Sequence, residues 1–239
     1  MIAKPARHRI YYGWYIVLAL FFLGFSKAGF TGFLFSLFLK PMTEEFGWSR
    51  TAMTGAVTFG TILAAALGYW IGSTIDRHGA RLPMSVATFF AGGAFLGLGF
   101  VNGLFTYYLV YGLGRAVTQS ALGDAMVAAV ISKWFLRLRG FTIALGNMGA
   151  AVAGTILAVV CQALIESYSW RYAWAFLGVL TLIVSLPPLL IFLRRSPEDM
   201  GLAIFGAGKE PLELASPPAS QHGEAVYNRE YSLTLRQAL

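Results

Sequence analysis

Three ionisable residues interrupt the apolar runs of this 239-residue chain: Lys27, Arg115 and Asp124. A charge near the middle of a membrane-spanning helix costs roughly 2.5–3.5 kcal/mol on insertion scales, so its retention points to function. At 1.5 Å per residue, Lys27 lies about 18 Å from the outer end of its helix near residue 39, and Arg115 about 15 Å from the outer end of its own near residue 105. The two cations therefore share a depth on different helices. Tyr108, Tyr111, Thr118 and Gln119 fall on the Arg115 face by the i, i+3, i+4 rule, and Thr31 lies one turn from Lys27. Phenol, hydroxyl, amide and guanidinium groups on one face suit a hydrated cavity that binds a small anion. Arginine grips a carboxylate through two parallel hydrogen bonds, and lysine adds a point charge. The expected substrate-binding set is Lys27, Thr31, Tyr111, Arg115 and Gln119. The alternatives are that Lys27 snorkels outward along its stem and that Arg115 is a structural partner for an acid.

Asp124 follows Arg115 on the same apolar run. On a straight helix it points to the opposite side, roughly 13 Å deeper, in register with Gly112, Ala116 and Ser120. Direct pairing with Arg115 is not expected. Two roles stay open for Asp124, packing or proton coupling, because a carboxylate inside a membrane can be pushed to titrate near neutrality.

The elements that must position these groups follow from where charge is missing. The chain is 57% hydrophobic and only 12% charged, whereas soluble domains carry roughly 25% charged residues. Too little charge remains to coat a soluble surface, and disorder would need the reverse balance. A single cysteine, Cys161, excludes a disulfide scaffold and a cysteine-built zinc site. No metal site and no cofactor are expected. The uncharged stretches define six predicted spans, about 11–39, 51–75, 82–101, 105–132, 140–165 and 172–193, since a helix needs about 20 apolar residues to cross a bilayer. Val101-Asn102-Gly103 supplies the turn between the third and fourth. No alternation of period two argues for a barrel. The fold class is an all-α membrane protein of six transmembrane helices.

Orientation follows from the flanking basic residues. With the N-terminus in the cytoplasm, the inner segments hold Lys4, Arg7, Arg9, Arg77, Arg81, Lys133, Arg137, Arg139, Arg194 and Arg195, against Lys40, Arg50 and Arg171 outside. Both termini are then cytoplasmic, in the inner membrane of the cell. The net charge of +7 reads as topology, with no basic stripe to suggest nucleic acid. The first apolar run is too long for a signal peptide and is expected to remain as a helix. Beyond Arg195 the composition turns to Ser, Pro, Gly and Glu, which predicts a cytoplasmic linker over 196–239.

In lipid, close approach through small residues carries helix packing. Gly60, Ala64, Gly68 and Gly72 form one such stripe, and Gly146, Ala150 and Gly154 another. A nucleotide-binding role for these glycines would need a preceding strand. An intramembrane enzyme is also disfavoured: His8, His78 and His222 lie outside the spans, and neither H-E-x-x-H nor G-x-S-x-G occurs.

Residues 72–81, Gly72-Ser-Thr-Ile-Asp76-Arg77-His78-Gly79-Ala80-Arg81, resemble the G-x-x-x-D-R-x-G-x-R signature of the major facilitator superfamily. The position is the matching one, between the second and third spans on the cytoplasmic side. Further segments are similar to the bacterial monocarboxylate and oxalate–formate type carriers: Tyr12-Gly13-Trp14-Tyr15, Glu45-Phe46-Gly47-Trp48-Ser49-Arg50, Trp134-Phe135 through Arg139-Gly140, Trp170-Arg171, and Ser196 to Leu202. The resemblance implies twelve helices in two six-helix halves, each of two inverted three-helix units, of which this chain supplies the N-terminal half. It implies transport of a small organic anion, with a monocarboxylate favoured, by alternating access coupled to protons or to a counter-anion. It also implies a gating role for Gly72, Asp76, Arg77, Gly79 and Arg81. The last residues, 231–239, resemble the approach to a seventh helix, so a truncated chain is expected. The alternatives are a pair of identical halves and a six-helix membrane protein without transport activity.

Overall fold

The computed structural model describes residues 11–30 and 32–206. Outside them lie the basic residues of the N-terminus, Thr31, the expected linker beyond 206 and the segment 231–239. The side chain of Asp76 is likewise outside the description, although its backbone belongs to a helix.

The described residues are helical: α1 (Gly13–Ala28), α2 (Gly32–Phe46), α3 (Arg50–His78), α4 (Arg81–Leu98), α5 (Leu104–Leu122), α6 (Asp124–Ser132), α7 (Arg139–Ser167), α8 (Trp170–Leu180) and α9 (Leu186–Phe192). Four segments are long and apolar enough to cross a membrane by themselves: Arg50–Ile75, Arg81–Leu98, Arg139–Ser167 and Trp170–Phe192. They coincide with four of the six expected spans. Gly103 and Ser49 open α5 and α3 from extended backbone, and the Ser49 hydroxyl accepts a hydrogen bond from the Ala52 amide at 3.1 Å, the usual device for an orphan N–H at a helix start.

The two remaining spans are not continuous helices, which corrects the sequence-based expectation. The first divides between Ala28 and Gly32, and the fourth divides at Gly123, whose ψ of 163° leaves the helical region. Side chains compensate for the backbone groups set loose. The Arg115 guanidinium donates to the Phe30 carbonyl in the first break. The last span also changes geometry, passing through a π-helical stretch at Thr181–Ser185 just before Pro187 and Pro188. Two successive residues without an N–H cannot continue an α-ladder. The Ser185 hydroxyl there donates to the Phe22 carbonyl at 2.8 Å, tying the stretch to α1.

α1 packs along α7, α3 along α5, and α4 between α5 and α8. The α1–α7 crossing is the tightest: a Cβ on Gly149 would stand 1.8 Å from the Phe21 carbonyl oxygen, and one on Gly24 would stand 2.2 Å from the Ala150 amide. Only glycine allows backbones to meet so closely. Two buried clusters lie at opposite ends. One gathers Phe38, Phe95, Tyr107, Tyr111 and Trp174, and the other Ile16, Leu20, Trp134, Phe135 and Leu193.

Residues just after α9 are structured rather than free of the bundle. The Phe205 amide donates to the Trp134 carbonyl, and the Phe205 carbonyl accepts from the Leu136 and Arg137 amides. The Tyr11 hydroxyl, at the start of the described chain, bonds the Trp134 and Ala203 carbonyls at 3.1 Å each.

Candidate functional site

The two helix breaks face one cavity of about 370 Å³, lined by Lys27, Phe30, Gly32, Arg115, Thr118, Gln119, Gly123 and Asp124. That volume suits a small molecule. Each break delivers a charge to it. Lys27 sits in the last turn of α1, where unsatisfied carbonyls make the helix end negative, and Asp124 opens α6, where the helix end is positive. Complementary helix ends lower the cost of carrying those charges within an apolar bundle.

Lys27 forms an ion pair with Asp124. The Lys27 side chain is 12% exposed and that of Asp124 is 74% exposed, so the pair is anchored in the protein at the lysine and open to the cavity at the carboxylate. The expectation that Asp124 lies on the far side of helix four, on the packing stripe, is therefore corrected. Gly123 redirects the chain, and register counted along a straight helix no longer holds beyond it.

Arg115 is held by two bonds. Its Nε–H donates to the Thr61 hydroxyl at 3.2 Å, and its Nη1 donates to the Phe30 carbonyl. A guanidinium carries five N–H donors in a planar fork, so these bonds fix its plane without exhausting it. Glycine makes room for the side chain. A Cβ on Gly60 would stand 2.9 Å from the Gly112 carbonyl oxygen and 3.0 Å from the Arg115 Cβ.

The other expected residues divide. Gln119 lines the cavity beside Arg115. Tyr111 does not: it is fully buried in an aromatic cluster with Phe30, Phe35, Tyr107 and Trp174, beside Arg115 but outside the cavity lining. Tyr108, on the same nominal face, turns to α3 and donates to the Ala52 carbonyl at 2.7 Å. Thr31 lies outside the described residues. Residues that the pattern did not single out complete the site. Thr61 and Phe30 position Arg115, and Gly123 turns Asp124 inward. The buried Thr118 hydroxyl lines the cavity with no hydrogen-bond partner among the described residues. A buried hydroxyl without a partner is costly, and a bound ligand would relieve that cost.

At the α3–α4 junction Gly79 has φ +85°, a conformation that suits glycine, and the Arg195 side chain packs where a Cβ would project. Arg77 and Arg81 are exposed, and Gly72 lies half-buried with Met126 in ordinary contact. At the opposite end Glu45, beyond the apolar part of α2, accepts hydrogen bonds of 2.6 Å from Trp170 Nε1 and from Arg171 Nη1. Those two bonds, that from Trp170 foremost, hold the Glu45 carboxyl below its ordinary value.

A bundle of apolar helices with broken elements around one charged cavity is the architecture of a membrane carrier, and residues 15–226 match the Major Facilitator Superfamily. The chain belongs to that family, and the relatives it matches are described as transporters rather than enzymes. Monocarboxylate transporter 11 of Mus musculus is 29% identical over 225 residues, covering 91% of this chain and 46% of the relative. The oxalate:formate antiporter of Oxalobacter formigenes is 24% identical, covering 78% and 43%. A probable 4-methylmuconolactone transporter of Cupriavidus pinatubonensis is 26% identical, covering 89% and 47%. The chain thus spans less than half the length of these relatives.

Proposed function

We propose that this chain forms the N-terminal six-helix half of a secondary transporter that moves a small organic anion, a monocarboxylate foremost, across the cytoplasmic membrane. Transport proceeds by alternating access, coupled to protons or to exchange for another anion, and a second six-helix unit completes the path. The single observation that supports this is the meeting of Lys27 and Arg115, from α1 and α5, in one cavity of small-molecule size. The relatives, described as monocarboxylate and oxalate:formate carriers, point to the same substrate class. Arg115 receives the carboxylate, Lys27 adds positive potential, and Gln119 and Thr118 offer hydrogen bonds to the remainder of the substrate. Thr31 and Tyr111 act beside them, Thr31 as a further hydroxyl and Tyr111 as support for Arg115.

The gate in this proposal is the α3–α4 junction. Gly79 makes the turn, Gly72 leaves room for α6, and Asp76, Arg77 and Arg81 engage the cytoplasmic ends of neighbouring helices in one state and release them in the other.

The test is counterflow of labelled lactate, pyruvate or oxalate in membrane vesicles from cells expressing the intact gene. One of these acids is expected to accumulate, and Arg115→Ala to lower its uptake at least about tenfold, the loss of one charge-assisted hydrogen-bond pair. Uptake unchanged by Arg115→Ala overturns the assignment of the anion site.

A further inference from the structure

The cavity is lined by three ionisable side chains among the described residues, and they are not equivalent. Lys27 is already engaged by Asp124, a carboxylate supplied by the protein, while among the described residues Arg115 meets only neutral groups, the Thr61 hydroxyl, the Phe30 carbonyl and the Tyr111 phenol, and no carboxylate. The lining therefore carries one positive charge in excess. Inside a bilayer the cost of an unbalanced charge is high, so the charge of the best occupant is the one that neutralises its surroundings.

We propose that Asp124 sets the charge of the anion accepted by this cavity: by occupying Lys27 it leaves Arg115 as the one cation in need of a partner, and so selects monocarboxylates over dicarboxylates. This rests on the anion-transport proposal above and adds to it a residue that decides which anions are taken. A monocarboxylate on Arg115 brings the cavity to neutrality. A dicarboxylate cannot, because its second carboxylate, reaching for Lys27, meets Asp124 at hydrogen-bond distance from the same ammonium. Like charges competing for one cation disfavour the second.

The position of Asp124 is built rather than incidental. Gly123 breaks the helix so that the carboxylate enters the cavity, and the start of α6 favours negative charge there. Its 74% exposure places it where a ligand would meet it, and its only ion pair among the described residues is with Lys27.

The experiment compares uptake of labelled pyruvate and labelled malonate, similar in size but different in charge, by vesicles holding the wild-type protein, Asp124→Asn, and the double variant Lys27→Gln/Asp124→Asn. Measurements are made at a pH where both acids are fully ionised. The wild type is expected to prefer pyruvate. Asp124→Asn, with two cations unopposed, is expected to shift the ratio toward malonate by at least about tenfold. The double variant, with one cation again, is expected to return to pyruvate. A wild-type ratio retained in Asp124→Asn overturns the selector role while leaving the anion site intact. Failure of the wild type to take up either acid, together with no counterflow of lactate or oxalate, overturns the transport proposal itself. Should Asp124→Asn show no uptake, equilibrium dialysis of the purified variant with the same two acids decides. Preferential retention of malonate supports the selector, and retention of neither, or of pyruvate alone, overturns it.

Discussion

At the scale of single residues, Arg115 shows how a charge is made tolerable within an apolar bundle. Its stem needs space, which Gly60 gives, and its head needs acceptors, which Thr61 and Phe30 supply. Gly60 and Gly68 of α3 are therefore unequal although both lie on one small-residue stripe. Adding a side chain at Gly60 presses on the Gly112 carbonyl and the Arg115 stem, while a Cβ at Gly68 meets nothing within 4 Å. Gly60→Val is expected to destabilise the protein by about 1–3 kcal/mol through overpacking and to weaken anion uptake by displacing Arg115. Gly68→Ala is expected to be neutral or slightly stabilising, because alanine is favoured over glycine in a helix by roughly 0.5–1 kcal/mol. Thermal unfolding of the two variants in detergent checks the contrast.

At the scale of elements, the informative features are the places where helices stop. α1 and α6 end and begin at the cavity with charges matched to their dipoles, and the Phe30 carbonyl in the first break accepts from the Arg115 guanidinium. Discontinuous backbone is tolerated at membrane depth only in such surroundings. At the end of the bundle opposite the α3–α4 junction, a different device joins α2 to α8. Glu45 bonds Trp170 and Arg171, and the Arg171 guanidinium lies 4.3 Å from the Trp170 ring centroid. The Glu45 carboxyl is held below its ordinary value of 4.5 by those bonds. A carboxylate depressed in the folded state adds stability above its unfolded pKa, and that stability is lost as pH falls through the folded value. Because Glu45 and Arg171 are partly exposed, the contribution is less than about 1 kcal/mol. Titration from neutral pH to below 4.5 is expected to release Trp170 and change its fluorescence, and Glu45→Gln is expected to abolish the transition.

At the scale of the whole molecule, the distribution of basic residues and the two aromatic clusters define opposite ends. The end with Arg77, Arg81, Arg137, Arg139 and Arg195 also holds the Phe205 segment, whose backbone pairs with the α6–α7 connection. If that end faces the cytoplasm, as the positive-inside rule requires, a fluorescent protein fused after Gly206 is expected to be bright. An exported phosphatase fused at the same point is expected to be inactive, and one inserted at the α2–α3 turn near Gly47 active. The reverse pattern would invert the topology and with it the assignment of the α3–α4 junction to a cytoplasmic gate.

Much of this was legible in the chain alone. The gaps between charged residues located α3, α4 and α7 and the last span closely, because a bilayer demands long apolar runs and any charge within one stands out. The pattern also marked Lys27, Arg115 and Asp124, and the turn glycine Gly79, since a membrane charge and a left-handed glycine are local facts. Whether those charges meet was not legible. Counting along an ideal helix set Asp124 on the far side, set Tyr111 in the site and left Thr61 unnoticed. The breaks at 29–30 and at Gly123 depend on what the neighbouring helices offer: a guanidinium for the Phe30 carbonyl, a lysine for the Asp124 carboxylate. Periodicity describes one helix at a time, and a helix breaks where partners distant in sequence satisfy the freed groups. Packing in three dimensions therefore brought three charges separate in sequence to one cavity among the described residues.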